Sequence, residues 1–327
     1  MSLSIVLPRR IGDSIQCLPA LSVLARLHGK TKDHHFEKIR LYLKPDLKDL
    51  FDLLTPFEIH SSNLWEKLKA HLTERPDRVV FLDSSSAIIG FPQIESIGER
   101  LPRRFYARFQ SDLPVMDLCR TRDSLPVSLY EHLRSYGLGD ATIRYFGFLV
   151  VLGFDSELLI HTLNETYPCL KGLYSKIVKR PFIEAPHITL NMEADYSKPR
   201  SDARRWSPEN FFSFAQWVYQ NYQLETVLIG LDQRINIQES SLNFIHEARG
   251  KRPLKEVAEI IAGSEIFLGN DSGLLHLANL LQKPTLGIYT ATDPDITAPI
   301  FPDLNHPLKK PEGFEDLIIL FERMMRP

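Results

Sequence analysis

Short apolar runs, each closed by a polar break and followed by helical spacing, recur along this chain of 327 residues. Leu3 to Leu7 is the first run, Pro8 to Gly12 the break, and Ser14 to Leu27 the helix candidate. Asp13 followed three residues later by Gln16 fits a capping box. Pro19 sits too deep for a first turn, so the pattern predicts a kink or restart there. Lys38 to Leu43 and Arg78 to Asp83 read as strands, and Ser128 to Tyr136 as a helix closed by a left-handed cap at Gly137.

Beyond Pro186 the alternation is cleaner. His187 to Met192 is a strand, and Ser207-Pro208 opens a helix with an N-cap residue and a proline at its first position. Its apolar face is Phe211, Phe214, Ala215, Val218 and Tyr222. Strands follow at Thr226 to Ile229 and Leu242 to Ile245, then a helix at Leu254 to Ala262 with Leu254, Val257, Ala258 and Ile261 inward. Ile266 to Leu268, Gly273 to Leu281 and Thr285 to Tyr289 repeat strand, helix, strand. Such units imply an α/β protein with parallel sheets covered on both faces. The segment Glu165 to Ala185 lacks alternation and is the expected join, dividing the chain into 1–172 and 173–310. A terminal piece, 311–327, holds a helix from Glu315 to Met325 that is expected to pack back on the first domain.

Composition narrows the classes. Lys plus Arg number 39 and Asp plus Glu 41, a net charge of −2. That balance argues against a bulk nucleic-acid binder, and no nucleic-acid partner is expected. Cys17, Cys119 and Cys169 lie far apart, which fits neither a disulfide framework nor a structural zinc site. The amino-terminal charges follow a very short apolar run, the reverse of a secretory signal. The most apolar stretch, Tyr145 to Phe154, is about half the ~20 residues a membrane span needs. The expectation is a cytoplasmic protein.

Two strand-to-helix corners carry the candidate chemistry. The sharper is Gly269-Asn270-Asp271-Ser272-Gly273-Leu274-Leu275-His276. Ligands of open α/β sheets bind outside the carboxyl ends of the strands, and a helix N-terminus suits a phosphate. Gly273 permits close backbone approach, and His276 can point a donor at the same ligand. The ordinary alternative is that Asp271 or Ser272 caps the helix and His276 is a packed histidine; spacing leaves both open. The second corner is Arg9-Arg10-Ile11-Gly12-Asp13, where a carboxylate could serve as a general base. Spacing alone favours the cap there, because Asp is a preferred N-cap residue.

Arg204, Arg205 and Asp232 lie in loops that should open on the same sheet edge as Asp271. An arginine there could neutralise a diphosphate, although an exposed loop charge is the better reading of Arg205. Arg100, Arg103, Arg104 and Arg108 interleave with Phe105, Tyr106 and Phe109. That segment either grips an anion or forms a solvated face of snorkelling arginines. A P-loop, a Gly-x-Ser-x-Gly elbow and a dinucleotide glycine fingerprint are absent from the sequence.

Taken together, the corners resemble glycosyltransferase family 9, the ADP-heptose:lipopolysaccharide heptosyltransferases. The resemblance rests on Gly12-Asp13 with Leu18-Pro19-Ala20-Leu21, and on Asp271-Ser272-Gly273 with His276, Lys283-Pro284 and Thr292-Asp293-Pro294. It implies a GT-B fold, two Rossmann-like doubly wound domains facing across a cleft, with the acceptor on the first and the nucleotide-sugar on the second. By that resemblance Asp13 is the general base, with Arg10, Gly12, Arg100, Arg103 and Arg104 on the acceptor side. Arg204, Asp232, Asp271, Ser272, Gly273 and His276 would bind the donor, with Arg204 in place of a family lysine and Asp232 near a family glutamate that holds the ribose. The chain departs from the family at Asn191-Met192-Glu193-Ala194-Asp195, where a glycine-rich turn is usual, and at Thr290-Ala291, where the last strand usually ends in glycine.

The implied function is inverting, metal-independent transfer of a sugar, heptose from ADP-heptose, to a lipopolysaccharide-core or related glycan. The resemblance implies no cofactor, and an anionic glycolipid or oligosaccharide as acceptor partner. It also leaves room for peripheral association with the cytoplasmic face of the inner membrane. Two rivals remain at this point: a non-catalytic nucleotide-sugar-binding GT-B protein, motivated by the lost glycines, and a sugar-nucleotide epimerase of the same fold, which would need no acceptor.

Overall fold

The structure is a computed structural model that describes residues 2–8, 10–28, 36–61, 78–82, 125–172, 182–194, 202–231 and 243–325. The chain divides into two compact units. One is Met1–Tyr136 with Asp140–Leu173; the other is Gly137–Gly139 with Tyr174–Pro327.

In the first unit, β1 (Ser2–Val6) leads into two short helices, α1 (Ile11–Gln16) and α2 (Leu18–Leu27). The expected restart at Pro19 is there: the helical run breaks at Cys17, and the proline falls in the first turn of α2, where it costs no hydrogen bond. The expected capping box does not form. Arg10, in extended conformation, is the N-cap of α1 and makes no side-chain cap, and Asp13 is the third helical residue. β2 (Lys38–Leu43), α3 (Lys48–Leu54), β3 (Glu58–Ser61) and β4 (Arg78–Phe81) complete a parallel sheet in the order β3-β2-β1-β4.

Four more helices are described in this unit: α4 (Val127–Ser135), α5 (Asp140–Ile143), α6 (Gly147–Val151) and α7 (Ser156–Gly172). Gly137 closes α4 with φ of 72°, the left-handed conformation expected of it. The apolar stretch 145–154 folds back as short turns of helix with Tyr145, Phe146, Phe148 and Leu149 fully buried, so it is core. α7 extends to Gly172, into the first part of the segment whose sequence lacks alternation. It buries Leu159, Leu163, Tyr167 and Leu170 along one stripe despite Pro168 within it.

The second unit holds β5 (His187–Asn191), α8 (Pro208–Tyr222), β6 (Glu225–Leu228), β7 (Ile245–Glu247), α9 (Leu254–Gly263), β8 (Ile266–Asn270), α10 (Gly273–Leu280) and β9 (Thr285–Tyr289). Then come α11 (Pro294–Thr297), β10 (Asn305–Lys309) and α12 (Glu315–Met325). The strands are parallel in the order β10-β9-β8-β5-β6-β7. Counted within the unit this is the 3-2-1-4-5-6 arrangement of nucleotide-binding sheets, whose order reverses between β5 and β8. Every residue of β5, β8 and β9 is buried, as central parallel strands covered on both faces require.

The expectation that the terminal helix packs back on the first domain is corrected. Leu317 and Phe321 of α12 are fully buried in the second unit's own core with Leu190, Phe214, Leu268 and Ile288. Phe321 meets Phe214 edge-on at 5.6 Å and Tyr222 at 5.1 Å. A phenylalanine buried this way contributes about 2–3 kcal/mol relative to exposure, enough to seat the helix on this sheet. No described helix is long and apolar enough to cross a membrane.

Candidate functional site

The reversal point of the second sheet is built by two asparagines at the ends of its central strands. Asn191 closes β5; its amide donates to Ile229 O at 3.2 Å and its oxygen accepts from Ser272 Oγ at 3.3 Å. Asn270 closes β8; its amide donates to Met192 O at 2.8 Å and its oxygen accepts from Trp206 N at 3.0 Å. These four bonds tie the loops after β5, β6 and β8 into one rigid corner. Side-chain amides thus fix the turn that follows β5. Beside them Gly230 has φ of 133°, and a Cβ there would lie 2.4 Å from Glu193 Oε1, so only glycine closes β6.

Asp271 is the buried charge of this corner, 3% exposed. Arg204, the last residue of a 3₁₀ turn at Asp202–Arg204, donates Nη2 to Asp271 O at 2.6 Å and to Oδ2 at 2.8 Å. Thr297 Oγ1 reaches Oδ2 at 3.4 Å, and His276 Nε2 stands 3.8 Å from Oδ1. The Arg204 turn is pinned in turn by Thr290 Oγ1 donating to Ala203 O at 2.8 Å. Burial, helped by the Asp271 charge, drives the Tyr289 hydroxyl far above the ordinary phenol range, so it stays neutral.

The ordinary explanation for Asp-Ser before a helix is a cap, and it does not hold here. Ser272 is the N-cap of α10 but makes no side-chain cap bond, and Asp271 is taken up by Arg204. The first turn of α10 thus presents partly exposed backbone at Ser272, Gly273 and Leu274 with no side chain serving it. An uncapped helix N-terminus of this kind suits a phosphate. Gly273 is helical, so its value is the absent side chain and not a left-handed backbone.

The structure therefore gathers Arg204, Asp271, Ser272, Gly273 and His276 at one corner. Arg205 is half-exposed beside them. In the first unit it places Arg10, Gly12 and Asp13 at the start of α1, where the cap reading of Asp13 fails for the reason given above. Asp232, Arg100, Arg103 and Arg104 lie outside the described residues. Sequence reasoning passed over Asn270, Thr297 and Tyr289 at the Asp271 corner and Arg144 beside Asp13. Arg144 Nη2 lies 3.7 Å from Asp13 Oδ1. Only the strand-terminal asparagines carried a sequence signal, as polar residues ending wholly apolar runs. Among the described residues no group of three His, Cys, Asp or Glu side chains could hold a metal ion.

Two Rossmann-like units, one with its ligand corner at the reversal point, define the GT-B class of fold. Residues 174–312 match the model of glycosyltransferase family 9 (heptosyltransferase). It is 28% identical over 105 residues to lipooligosaccharide heptosyltransferase 2 of Haemophilus influenzae, a match covering 30% of each chain. The chain thus spans about a third of the length of the curated relatives it matches. Two solved structures share the fold throughout. Heptosyltransferase WaaC of E. coli with ADP has a TM-score of 0.64 at 14% identity, covering 99% of both chains. ADP-heptose lps heptosyltransferase II of E. coli has a TM-score of 0.62 at 16% identity, covering 100% of both.

Proposed function

We propose that this protein is an inverting glycosyltransferase that moves heptose from ADP-heptose to a lipopolysaccharide-core or related glycan acceptor. The observation that carries the reading is the uncapped first turn of α10 at the reversal point of a nucleotide-type sheet, with Arg204 and His276 beside it. The solved relative WaaC bound to ADP supports the choice of nucleotide.

In this reading the first unit takes the acceptor. Asp13 accepts the proton of an acceptor hydroxyl, whose oxygen attacks the anomeric carbon. The bond from that carbon to the diphosphate breaks, and its electrons leave with ADP. The backbone N–H groups of α10, Ser272 and His276 stabilise the charge that grows on the departing diphosphate, while Arg204 acts together with Asp271. Asp232, near a family glutamate, is proposed to hold the ribose, and Arg10, Gly12, Arg100, Arg103 and Arg104 to face the acceptor. No resident metal or cofactor is proposed, and the protein is placed in the cytoplasm, at the inner membrane face.

The test is a transfer assay with ADP-heptose and a heptose-deficient lipopolysaccharide core, with and without acceptor, in EDTA. Acceptor-dependent ADP release that survives EDTA is expected. Binding of ADP without turnover on any acceptor would favour a non-catalytic binder, and acceptor-independent change of the sugar an epimerase. Loss in EDTA restored by Mg²⁺ would overturn the metal-independent part.

A further inference from the structure

Away from the donor corner, the first unit holds a carboxylate that its own helix does not use. Asp13 sits inside α1 with Oδ2 buried and without a hydrogen bond, while Oδ1 faces Arg144 Nη2 at 3.7 Å. That separation is an ion pair but lies beyond a hydrogen bond. Arg144 Nε is likewise buried without a hydrogen bond. A buried polar atom left unbonded costs about 1–3 kcal/mol, so two of them in one ion pair need a reason.

The guanidinium is held in place from behind. Arg144 opens a 3₁₀ turn directly after α5, and α5 packs on α1. Its Nη2 donates to the hydroxyl of Tyr145 at 3.3 Å, and its centre lies 5.0 Å from that ring, which is fully buried. The other groups around Asp13 have their own engagements. Cys17 Sγ donates to the Asp13 backbone carbonyl, Arg10 at the start of α1 has contacts of its own, and Asp140 on α5 takes Tyr130 and Arg134.

We propose that Arg144 is the positioning residue for Asp13 in the transfer reaction. Its fixed charge holds Oδ1 in place to face the acceptor hydroxyl, while Oδ2 stays buried. The proton moves from that hydroxyl to Oδ1, leaving neutral Asp13 beside an arginine whose charge never changes. This rests on the proposed transferase reading.

The experiment compares the full-length protein with Arg144→Met and Arg144→Lys, using ADP-heptose and a heptose-deficient lipopolysaccharide core. Arg144→Met is expected to lower kcat by roughly 10²-fold, as a misplaced catalytic group does, with both KM values unchanged. Arg144→Lys should recover part of the loss, and added guanidinium should restore part of the activity of Arg144→Met but none of Asp13→Asn. Calorimetric ADP titration should give the same Kd for all of them, which shows the second unit is folded, and unchanged circular dichroism shows it for the first. Wild-type kcat in Arg144→Met overturns the proposal. So does a raised acceptor KM at unchanged kcat, which would make Arg144 an acceptor anchor. Loss of ADP affinity together with failure of both rescues would make it a structural residue and also overturn it. A wild-type protein without any turnover overturns the transferase reading, and this inference with it.

Discussion

Arg204 and Asp271 should behave as one unit, and the coupling can be sized from their geometry. Arg204→Met removes the 2.8 Å bond to a carboxylate whose side chain is 4% exposed, leaving it Thr297 at 3.4 Å and His276 at 3.8 Å. Breaking a buried pair from one side costs about 3–5 kcal/mol. Arg204 is 25% exposed, so water replaces part of the loss, and about 2 kcal/mol is the better expectation. For a cooperative unit of this size that is a fall in Tm of roughly 4–8 °C. Asp271→Asn should cost less, about 1 kcal/mol, because Arg204 keeps the backbone carbonyl of 271 at 2.6 Å and its access to water. Once the charge at 271 is gone, losing Arg204 strands only the backbone carbonyl of 271 and no carboxylate, so the double variant should be about 1–2 kcal/mol more stable than the sum predicts. Thermal and urea unfolding followed by circular dichroism measure this cycle. Effects that add within about 0.5 kcal/mol would refute the coupling. Calorimetry on Arg204→Met should show ADP binding weakened at least about tenfold, or 1.4 kcal/mol. An unchanged Kd would leave Arg204 as a strut of the Asp271 turn and nothing more.

Asp13→Asn should lower turnover by roughly 10²–10⁴ while Tm stays within about a degree, since Asp13 caps nothing; near-normal turnover with a large fall in Tm would contradict this. His276→Ala should weaken ADP binding by about 1–3 kcal/mol, and Gly273→Val, which puts a branched side chain where the diphosphate approaches, should abolish it; normal titrations in both would reduce the corner to a helix start. His187 is buried, and that burial holds its imidazole below the ordinary value of 6.5. The unfolded chain therefore takes up a proton at higher pH than the folded one. This contribution to stability is full above about pH 6.5 and declines as pH falls through that value. Urea unfolding between pH 5 and 8 should show that slope flattened in His187→Asn, and parallel curves for the two proteins would argue against it.

What the sequence disclosed follows from where each element is buried. The runs at Leu3–Leu7, Ile266–Leu268 and Thr285–Tyr289 were legible because strands covered on both faces are mostly apolar, with Ser4 and Thr285 the polar exceptions. β10 was not, because an edge strand alternates in burial and tolerates Pro307 within it. β7, also an edge, lies at Ile245–Glu247, beyond the expected Leu242 to Ile245, since its half-exposed residues give no hydrophobic register. Pro168 concealed the continuity of α7, whose stripe of Leu159, Leu163, Tyr167 and Leu170 holds it by tertiary packing. At the site, Asp13, Asp271 and His276 stood out by spacing, but Arg144 did not. It is 131 positions from Asp13 in sequence and reaches it only through the packing of α5 on α1.

The two corners share one deviation from local rules. Asp13 and Asp271-Ser272 occupy positions where helix propensity assigns a cap worth about 1 kcal/mol, and in both places the cap is not made. Their carboxylates are instead each matched to an arginine brought from elsewhere in the same unit, Arg144 to Asp13 and Arg204 to Asp271. A chain under selection for stability alone would let each acid serve its own helix, since a cap needs no distant partner and buries no charge. Forgoing the cap at both strand-to-helix corners lowers stability twice, and at Asp271 the paired carboxylate is also buried, while that of Asp13 keeps 18% of its side chain exposed. Local rules that fail together at the carboxyl ends of central strands mark ligand sites. The same physics therefore connects the base proposed in the first unit with the nucleotide corner proposed in the second.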